Sequence, residues 1–149
     1  MVLELEYDRS LYGKEHRAGP FEVTNEMIQA FTRSIGESDP LFVDETAARE
    51  AGYRGLVAPP TFCTVLVAQL ALPDINLKFG RMQSHAGERV QPRAPIVVGD
   101  QLTASSRLKD VYAKTGRSGT MVFVAWETTF RNQNGEVVAD IVQSFARRE

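Results

Sequence analysis

Residue types suited to covalent, metal or nucleic-acid chemistry are scarce in this sequence. Its 149 residues include one cysteine, Cys63, and two histidines. A single cysteine excludes an intramolecular disulfide and a zinc site built from several thiolates. The formal net charge of -2 provides no basic excess for a nucleic-acid partner. We therefore expect no bound metal, no cofactor and no nucleic acid.

Long apolar runs are also absent. No segment approaches the roughly 20 apolar residues that span a bilayer. Residues 1–8 are acidic and lack the basic region and apolar core of a signal peptide. We expect a cytoplasmic protein without a membrane partner, formed by a single domain, 1–149. Residues 1–15 are expected to form an irregular N-terminal arm or short helix, and His16 to be solvated there.

Helical signals dominate the first half of the chain. Two helices are expected after residues that can cap a first turn: 25–35 after Thr24, and 45–51 after Asp44. Pro59 and Pro60 fit the first turn of a third helix. That helix is apolar on nearly every face up to Leu72, so we expect other structure to surround it, with Cys63 in the core.

The second half has the composition of strands joined by tight turns. Strands are expected at 89–91, 101–114, 119–131 and 136–147, after a short strand at 21–23. The Asn-Gly pair at 134–135 is typical of a hairpin turn, and successive strands joined in this way pair antiparallel. We predict an α+β domain in which a curved antiparallel sheet wraps a central helix, with Trp126 in the sheet core.

Five segments, in order, resemble one protein family. They are GESDPLFVD (36–44), YRGLVAPPTF (53–62), HAGERV (85–90), PIVVGDQL (95–102) and GEVVA (135–139). The chain is similar to MaoC-like hydratases and FAS1-like dehydratase N-terminal domains, above all to non-catalytic subunits of (3R)-hydroxyacyl-thioester dehydratases. The resemblance implies a hot-dog fold and an acyl thioester of coenzyme A or acyl carrier protein as ligand.

The loop at 36–44 departs from the family's catalytic pattern, Asp-x-Asn-Pro-x-His. Glu37 stands at the Asp, Asp39 at the Asn and Phe42 at the His. Active members also have His-Gly before the central helix, where this chain has Pro59-Pro60. Because phenylalanine moves no proton and proline donates no amide, the departure favours an acyl-binding subunit whose partner supplies the Asp and His. An oxyanion site would depend on Thr61 or Phe62.

The candidate site residues fall into two groups, each with an alternative interpretation. Glu37, Asp39 and His85 are the catalytic candidates, although the two acids also suit turns and His85 also suits a strand start. The resemblance places five substrate-binding candidates beside an acyl tunnel, although they also suit a core: Phe42, Tyr53, Leu56, Val57 and Phe62. Thr61 is the sixth substrate-binding candidate, as a donor to an oxyanion.

Other functions remain open at this point. The chain could be a self-sufficient homodimeric hydratase that uses Glu37 or Asp39, a non-enzymatic acyl-thioester-binding protein, or a hot-dog thioesterase, since one fold hosts several activities. An exposed sheet edge favours a partner strand. We expect a dimer, either a homodimer or a heterodimer with a catalytic MaoC-like subunit.

Overall fold

The computed structural model describes residues 3–149, so Met1 and Val2 of the predicted arm lie outside the described residues. One antiparallel sheet of five strands organises them, in the order β1-β3-β4-β5-β2. Its strands are β1 (His16–Glu22), β2 (Met82–Pro92), β3 (Gln101–Gly116), β4 (Gly119–Arg131) and β5 (Val137–Arg148). The predicted antiparallel sheet is confirmed, but β1 and β2 are much longer than 21–23 and 89–91.

Both long hairpins turn at the predicted positions. Strands β3 and β4 pair up to Gly116 and Gly119, so only two residues separate them. Between β4 and β5, the Asn132 side-chain oxygen accepts hydrogen bonds from the backbone amides of Asn134, at 3.0 Å, and Glu136, at 3.1 Å. Gly135 has a φ of 78°, which glycine adopts without steric cost.

Residues 3–149 also form four α-helices: α1 (Asn25–Ser34), α2 (Pro40–Val43), α3 (Glu45–Glu50) and α4 (Cys63–Val67). The Thr24 hydroxyl caps α1 by accepting from the Met27 amide at 3.2 Å, as predicted. In the N-terminal arm, a short 3-10 helix spans Arg9–Leu11.

The central helix α4 is shorter than the sequence predicts. It begins at Cys63 instead of Pro59 and ends at Val67, well before Leu72. On both sides the chain makes i to i+3 turns: the Phe62 amide donates to the Pro59 carbonyl at 2.9 Å, and the Leu70 amide to the Val67 carbonyl at 3.2 Å. The segment 59–70 therefore has regular helix only at its centre and tighter turns on both sides.

The core lies between α4 and the sheet. Phe62, Leu66 and Phe130 are almost completely buried there, and Cys63 is fully buried as predicted. A second apolar cluster under the N-terminal arm includes Trp126, which confirms its predicted core position.

The prediction that His16 is solvated in the arm is wrong. His16 begins β1, and its ring meets the Trp126 ring edge-on at a centroid distance of 5.7 Å.

Within residues 3–149, no helix is long and apolar enough to cross a membrane.

Candidate functional site

The acidic side chains of the 36–44 loop hold the loop's own backbone. The Glu37 Oε1 accepts from the amides of Ser38, at 3.0 Å, and Asp39, at 3.1 Å. The Asp39 Oδ1 accepts from the Leu41 amide at 3.0 Å, which caps α2. Asp44 caps α3 through the Thr46 amide at 2.9 Å, as predicted. Asp39 and Asp44 are therefore helix N-caps, and Glu37 holds the backbone just before α2.

No imidazole stands beside these carboxylates. Both histidines of the chain lie on the sheet, His16 in β1 and His85 in β2. Phe42 occupies α2 at the position where the loop pattern would place a histidine, and its ring is partly buried. The loop therefore presents an apolar ring where acid–base chemistry would need a group with a pKa near neutrality.

A cleft of about 300 Å³ opens between this loop, the start of the central segment and the residues that follow β2. We call it the loop cleft. Three of the six predicted substrate-binding residues line it: Phe42, Tyr53 and Val57. The sequence prediction missed the opposite wall, which consists of Pro92, Arg93, Ala94, Pro95 and Ile96.

The other three predicted substrate-binding residues lie elsewhere. Leu56 and Phe62 are buried at 3% and 0% exposure and belong to the core, so they support the cleft from behind. Thr61 is exposed and does not line the cleft. The Phe62 amide is already bonded to the Pro59 carbonyl, so it is not a free donor for an oxyanion.

Two backbone hydrogen bonds hold the loop cleft together, one within its first wall and one between its two walls. The Val57 amide donates to the Leu41 carbonyl at 3.0 Å, and the Ala58 amide donates to the Ile96 carbonyl at 2.8 Å. Close packing reinforces them, because a Cβ built on Gly55 would lie 2.4 Å from the Val98 Cγ1. Any larger residue at position 55 would have to displace the Val98 side chain, which favours the Gly in the YRGLVAPPTF segment.

Asp100 is the buried polar residue at the base of this arrangement, with 4% exposure. Its carboxylate accepts from the Val97 amide at 2.9 Å and from the Gln133 Nε2 at 3.0 Å, and it pairs with the Arg54 guanidinium. A buried carboxylate is tolerated when it is paired and hydrogen-bonded in this way. In the sequence, the Gly99-Asp100 turn after the cleft wall was the feature that could have indicated a structural role for Asp100.

His85 is not brought together with Glu37 and Asp39. It lies seven residues before Pro92 on β2, which corresponds to about 23 Å along a strand. Its Nε2 lies 3.5 Å from the Glu88 Oε2, and its ring meets Phe145 edge-on at 5.6 Å. His85 and Glu88 both line a separate and larger cleft of about 610 Å³, which we call the sheet cleft.

The buried thiol of Cys63 is not a nucleophile in this setting. Burial raises its pKa to about 12, so the thiol stays protonated at neutral pH. Groups of three or more residues suited to a metal ion are not found within residues 3–149.

The curved sheet around a short central helix, with a loop cleft at the helix entrance, is the hot-dog architecture. The chain belongs to the family described as FAS1-like, dehydratase domain region, which matches residues 10–141. This confirms the resemblance that the five sequence segments indicated.

Curated relatives extend over most of the chain. A UPF0336 protein of Parafrankia sp. (strain EAN1pec) is 38% identical over 133 residues, covering 87% of this chain and 85% of its own length. A UPF0336 protein of Clavibacter michiganensis subsp. michiganensis is 32% identical over 136 residues, covering 88% of both chains.

Solved structures share the fold at lower identity. A chain of the C-terminally truncated HadBC (3R-hydroxyacyl-ACP dehydratase) complex from Mycobacterium tuberculosis has a TM-score of 0.73 and 24% identity, covering 93% of this chain and 98% of its own. A chain of the ChsH1-ChsH2 complex from the same organism has a TM-score of 0.70 and 22% identity, covering 92% and 88%.

Proposed function

We propose that this protein is the acyl-thioester-binding subunit of a MaoC-like (R)-specific enoyl hydratase or (3R)-hydroxyacyl dehydratase. A partner chain supplies the catalytic Asp and His. The observation that carries the proposal is the state of the 36–44 loop, where Glu37 and Asp39 bond backbone amides and Phe42 stands in the place of a histidine. The proposal needs no metal or cofactor, because hydration of an enoyl thioester is acid–base chemistry.

The loop cleft supports binding of an apolar group. Its walls are proline, aromatic and aliphatic residues, and the guanidinium of Arg93 at its rim already pairs with Asp140, with 2.9 Å between Nε and Oδ2. Such a cleft removes apolar surface from water on binding, and its lining residues include no histidine and no carboxylate.

The β2 edge supports the partner. β2 pairs with β5 on one side and ends the sheet on the other, and most of its residues are exposed. An uncovered edge of this length is a surface for pairing with another strand. The two Mycobacterium tuberculosis structures above are complexes, which favours a heterodimer for this chain over a homodimer.

The test measures hydration of crotonyl-CoA and of longer enoyl-CoAs by the purified protein alone, and then with a MaoC-like chain from the same source that carries an intact Asp-x-Asn-Pro-x-His. We expect turnover only in the mixture. In that mixture Glu37→Gln and Asp39→Asn should leave kcat unchanged, because both substitutions keep a backbone-accepting oxygen.

Phe42→Ala is the companion variant, and it should raise KM in the mixture because it removes an aromatic wall of the loop cleft. Val43→Ala, on the exposed side of α2, is the matched control and should leave KM unchanged. Turnover by the protein alone that is lost in Glu37→Gln would instead establish the self-sufficient hydratase.

A further inference from the structure

One end of the sheet carries a row of cationic and thioether side chains on its outer face. Lys114, Met121, Arg148 and Met82 are consecutive cross-strand partners on β3, β4, β5 and β2. Because directly opposed residues project from the same face of a sheet, these four side chains form a line across it. Val122, next to Met121 in β4, is fully buried on the opposite face, which places the line on the outer face.

Two aromatic rings extend this row by one step along the strands. Tyr112 and Phe123 are cross-strand partners, each two residues from the row. Their rings stack with centroids 5.3 Å apart, and the Lys114 Nζ lies 5.7 Å from each centroid. We call these two rings and the four side chains of the row the end patch.

Positive charge at the end patch is not neutralised within the subunit. Four exposed cations in and beside the patch form no ion pair within residues 3–149: Lys114, Arg148, Arg81 and Arg117. By contrast, Lys109 on β3 and Arg93 after β2 pair with Glu127 and Asp140. The patch therefore concentrates positive potential at one end of a chain whose formal net charge is -2.

The apolar members of the end patch are open to solvent. Met82 is 76% exposed, and the Met121, Tyr112 and Phe123 side chains are partly exposed. Exposed apolar groups beside unneutralised cations are the combination that binds anionic lipid surfaces. The apolar groups enter the boundary between headgroups and acyl chains, and the cations meet the phosphates.

The form of the end patch favours a planar anionic surface over other polyanions. The row crosses four adjacent strands and is about 14 Å long. It is a flat sheet face, whereas an acidic amphipathic helix is typically bound in a groove. The Tyr112 and Phe123 rings stack on each other beneath Lys114, which leaves less ring surface for the bases of a single-stranded nucleic acid.

We propose that the end patch binds peripherally to membranes rich in anionic phospholipid, with Lys114 and Arg148 at the phosphates and Met82 and Met121 in the headgroup–acyl boundary. The sequence expectation of no membrane partner came from the lack of a spanning segment, and peripheral binding needs none. The loop cleft lies at the Pro92 end of β2, about 33 Å along the strand from Met82. It therefore stays open on the bound protein, and the inference does not depend on the acyl-binding function.

The test is co-sedimentation of the purified protein with sucrose-loaded vesicles in 0.1 M NaCl. One set of vesicles contains phosphatidylcholine and phosphatidylglycerol in equal amounts, and the other contains phosphatidylcholine alone. We expect the protein to sediment with the anionic vesicles only. Raising NaCl to 0.5 M should release most of it, because salt screens the attraction between exposed charges.

Two variants separate the charge of the patch from its apolar surface. The double variant Lys114→Gln/Arg148→Gln should lower the partition coefficient about 25-fold, roughly fivefold for each cation, and flatten its salt dependence. Met82→Gln should lower it about fivefold by removing part of the inserted apolar area, and should leave the salt dependence unchanged.

Lys14→Gln/Arg33→Gln is the matched control. It makes the same change in net charge at two exposed positions outside the patch and should bind like the unaltered protein. All five substituted side chains are exposed, so the fold is retained in every variant.

Three results would overturn the inference. Equal sedimentation with both kinds of vesicle would exclude recognition of anionic lipid. A loss in the control as large as in Lys114→Gln/Arg148→Gln would mean that net charge acts and the patch does not. If the protein bound no vesicles but was retained by immobilised poly-glutamate and lost this in Lys114→Gln/Arg148→Gln, the end patch would serve an acidic protein instead.

Discussion

At the scale of single residues, Asp100 connects the loop cleft with the sheet. It bonds the turn that follows the cleft wall through the Val97 amide, the β4–β5 hairpin through Gln133, and the segment before the central helix through Arg54. One buried carboxylate thus fixes the relative positions of three chain segments that are distant in sequence. Asp100 has no role in the proposed chemistry, and it stabilises the fold by holding these segments together.

Cys63 gives a pH-dependent prediction at the same scale. Its folded-state pKa is raised from 9.0 to about 12 by burial. Above pH 9.0 the unfolded thiol loses its proton while the folded thiol keeps it, so the free energy of unfolding falls as the pH rises. At lower pH the thiol is protonated in both states and contributes no pH dependence.

Urea unfolding of the unaltered protein and of Cys63→Ala across this pH range measures the effect. The unaltered protein should lose more stability than Cys63→Ala as the pH rises above 9.0, although the substitution itself lowers stability at every pH by leaving a small cavity. Parallel pH profiles for the two proteins would contradict the prediction.

At the scale of secondary structure elements, α2 depends on its cap. It has only four residues, and the Asp39 side chain supplies the bond to the Leu41 amide at 3.0 Å. We expect Asp39→Ala to lower the free energy of unfolding by about 1 kcal/mol, and Asp39→Asn to change it little, because asparagine caps as well as aspartate. Urea denaturation compares the two variants, and an equal loss in both would argue against a capping role.

The same scale shows what the sequence could predict. The turns with Asn134-Gly135 and Gly119 separate β3, β4 and β5, and buried residues alternate with more exposed ones over the first half of β3, so local patterns suffice to predict these strands. β2 is mostly exposed along its length, so no alternation of polar and apolar residues signals its first half. Helix α4 was predicted too long because apolar composition indicates burial but not where i to i+3 turns replace regular helix.

The sequence analysis named substrate-binding candidates on only one wall of the candidate site, Phe42, Tyr53 and Val57. Pro95 and Ile96 of the opposite wall also belong to a segment that resembles the family, but the sequence does not show that this wall comes close through the bond between Ala58 and Ile96. Such long-range contacts depend on the sheet as a whole.

At the scale of the whole molecule, β2 ends the sheet, and we expect the proposed partner subunit to pair with this edge. Gly87 lies at the middle of this strand, next to a register shift, and a Cβ at this position would meet nothing within 4 Å. A side chain there is therefore compatible with the folded subunit. We expect Gly87→Lys to weaken association by placing a long charged side chain at the centre of the pairing edge, where a homodimer would also bring two like charges together.

Light scattering and titration calorimetry with the MaoC-like partner measure this effect. Gly116→Lys is the matched control, because Gly116 has equally open surroundings and lies at the far end of the β3–β4 hairpin. Association that is unchanged in Gly87→Lys would mean that the subunits meet through another surface.

The prolines around the loop cleft have a thermodynamic consequence. Pro59 and Pro60 on one wall, and Pro92 and Pro95 on the other, have backbone φ angles restricted by their rings before any ligand arrives. Such a cleft is already organised for its occupant, so little conformational entropy is lost on binding. The strength of binding should then follow the shape and apolar area of the acyl group more than any closing motion of the protein.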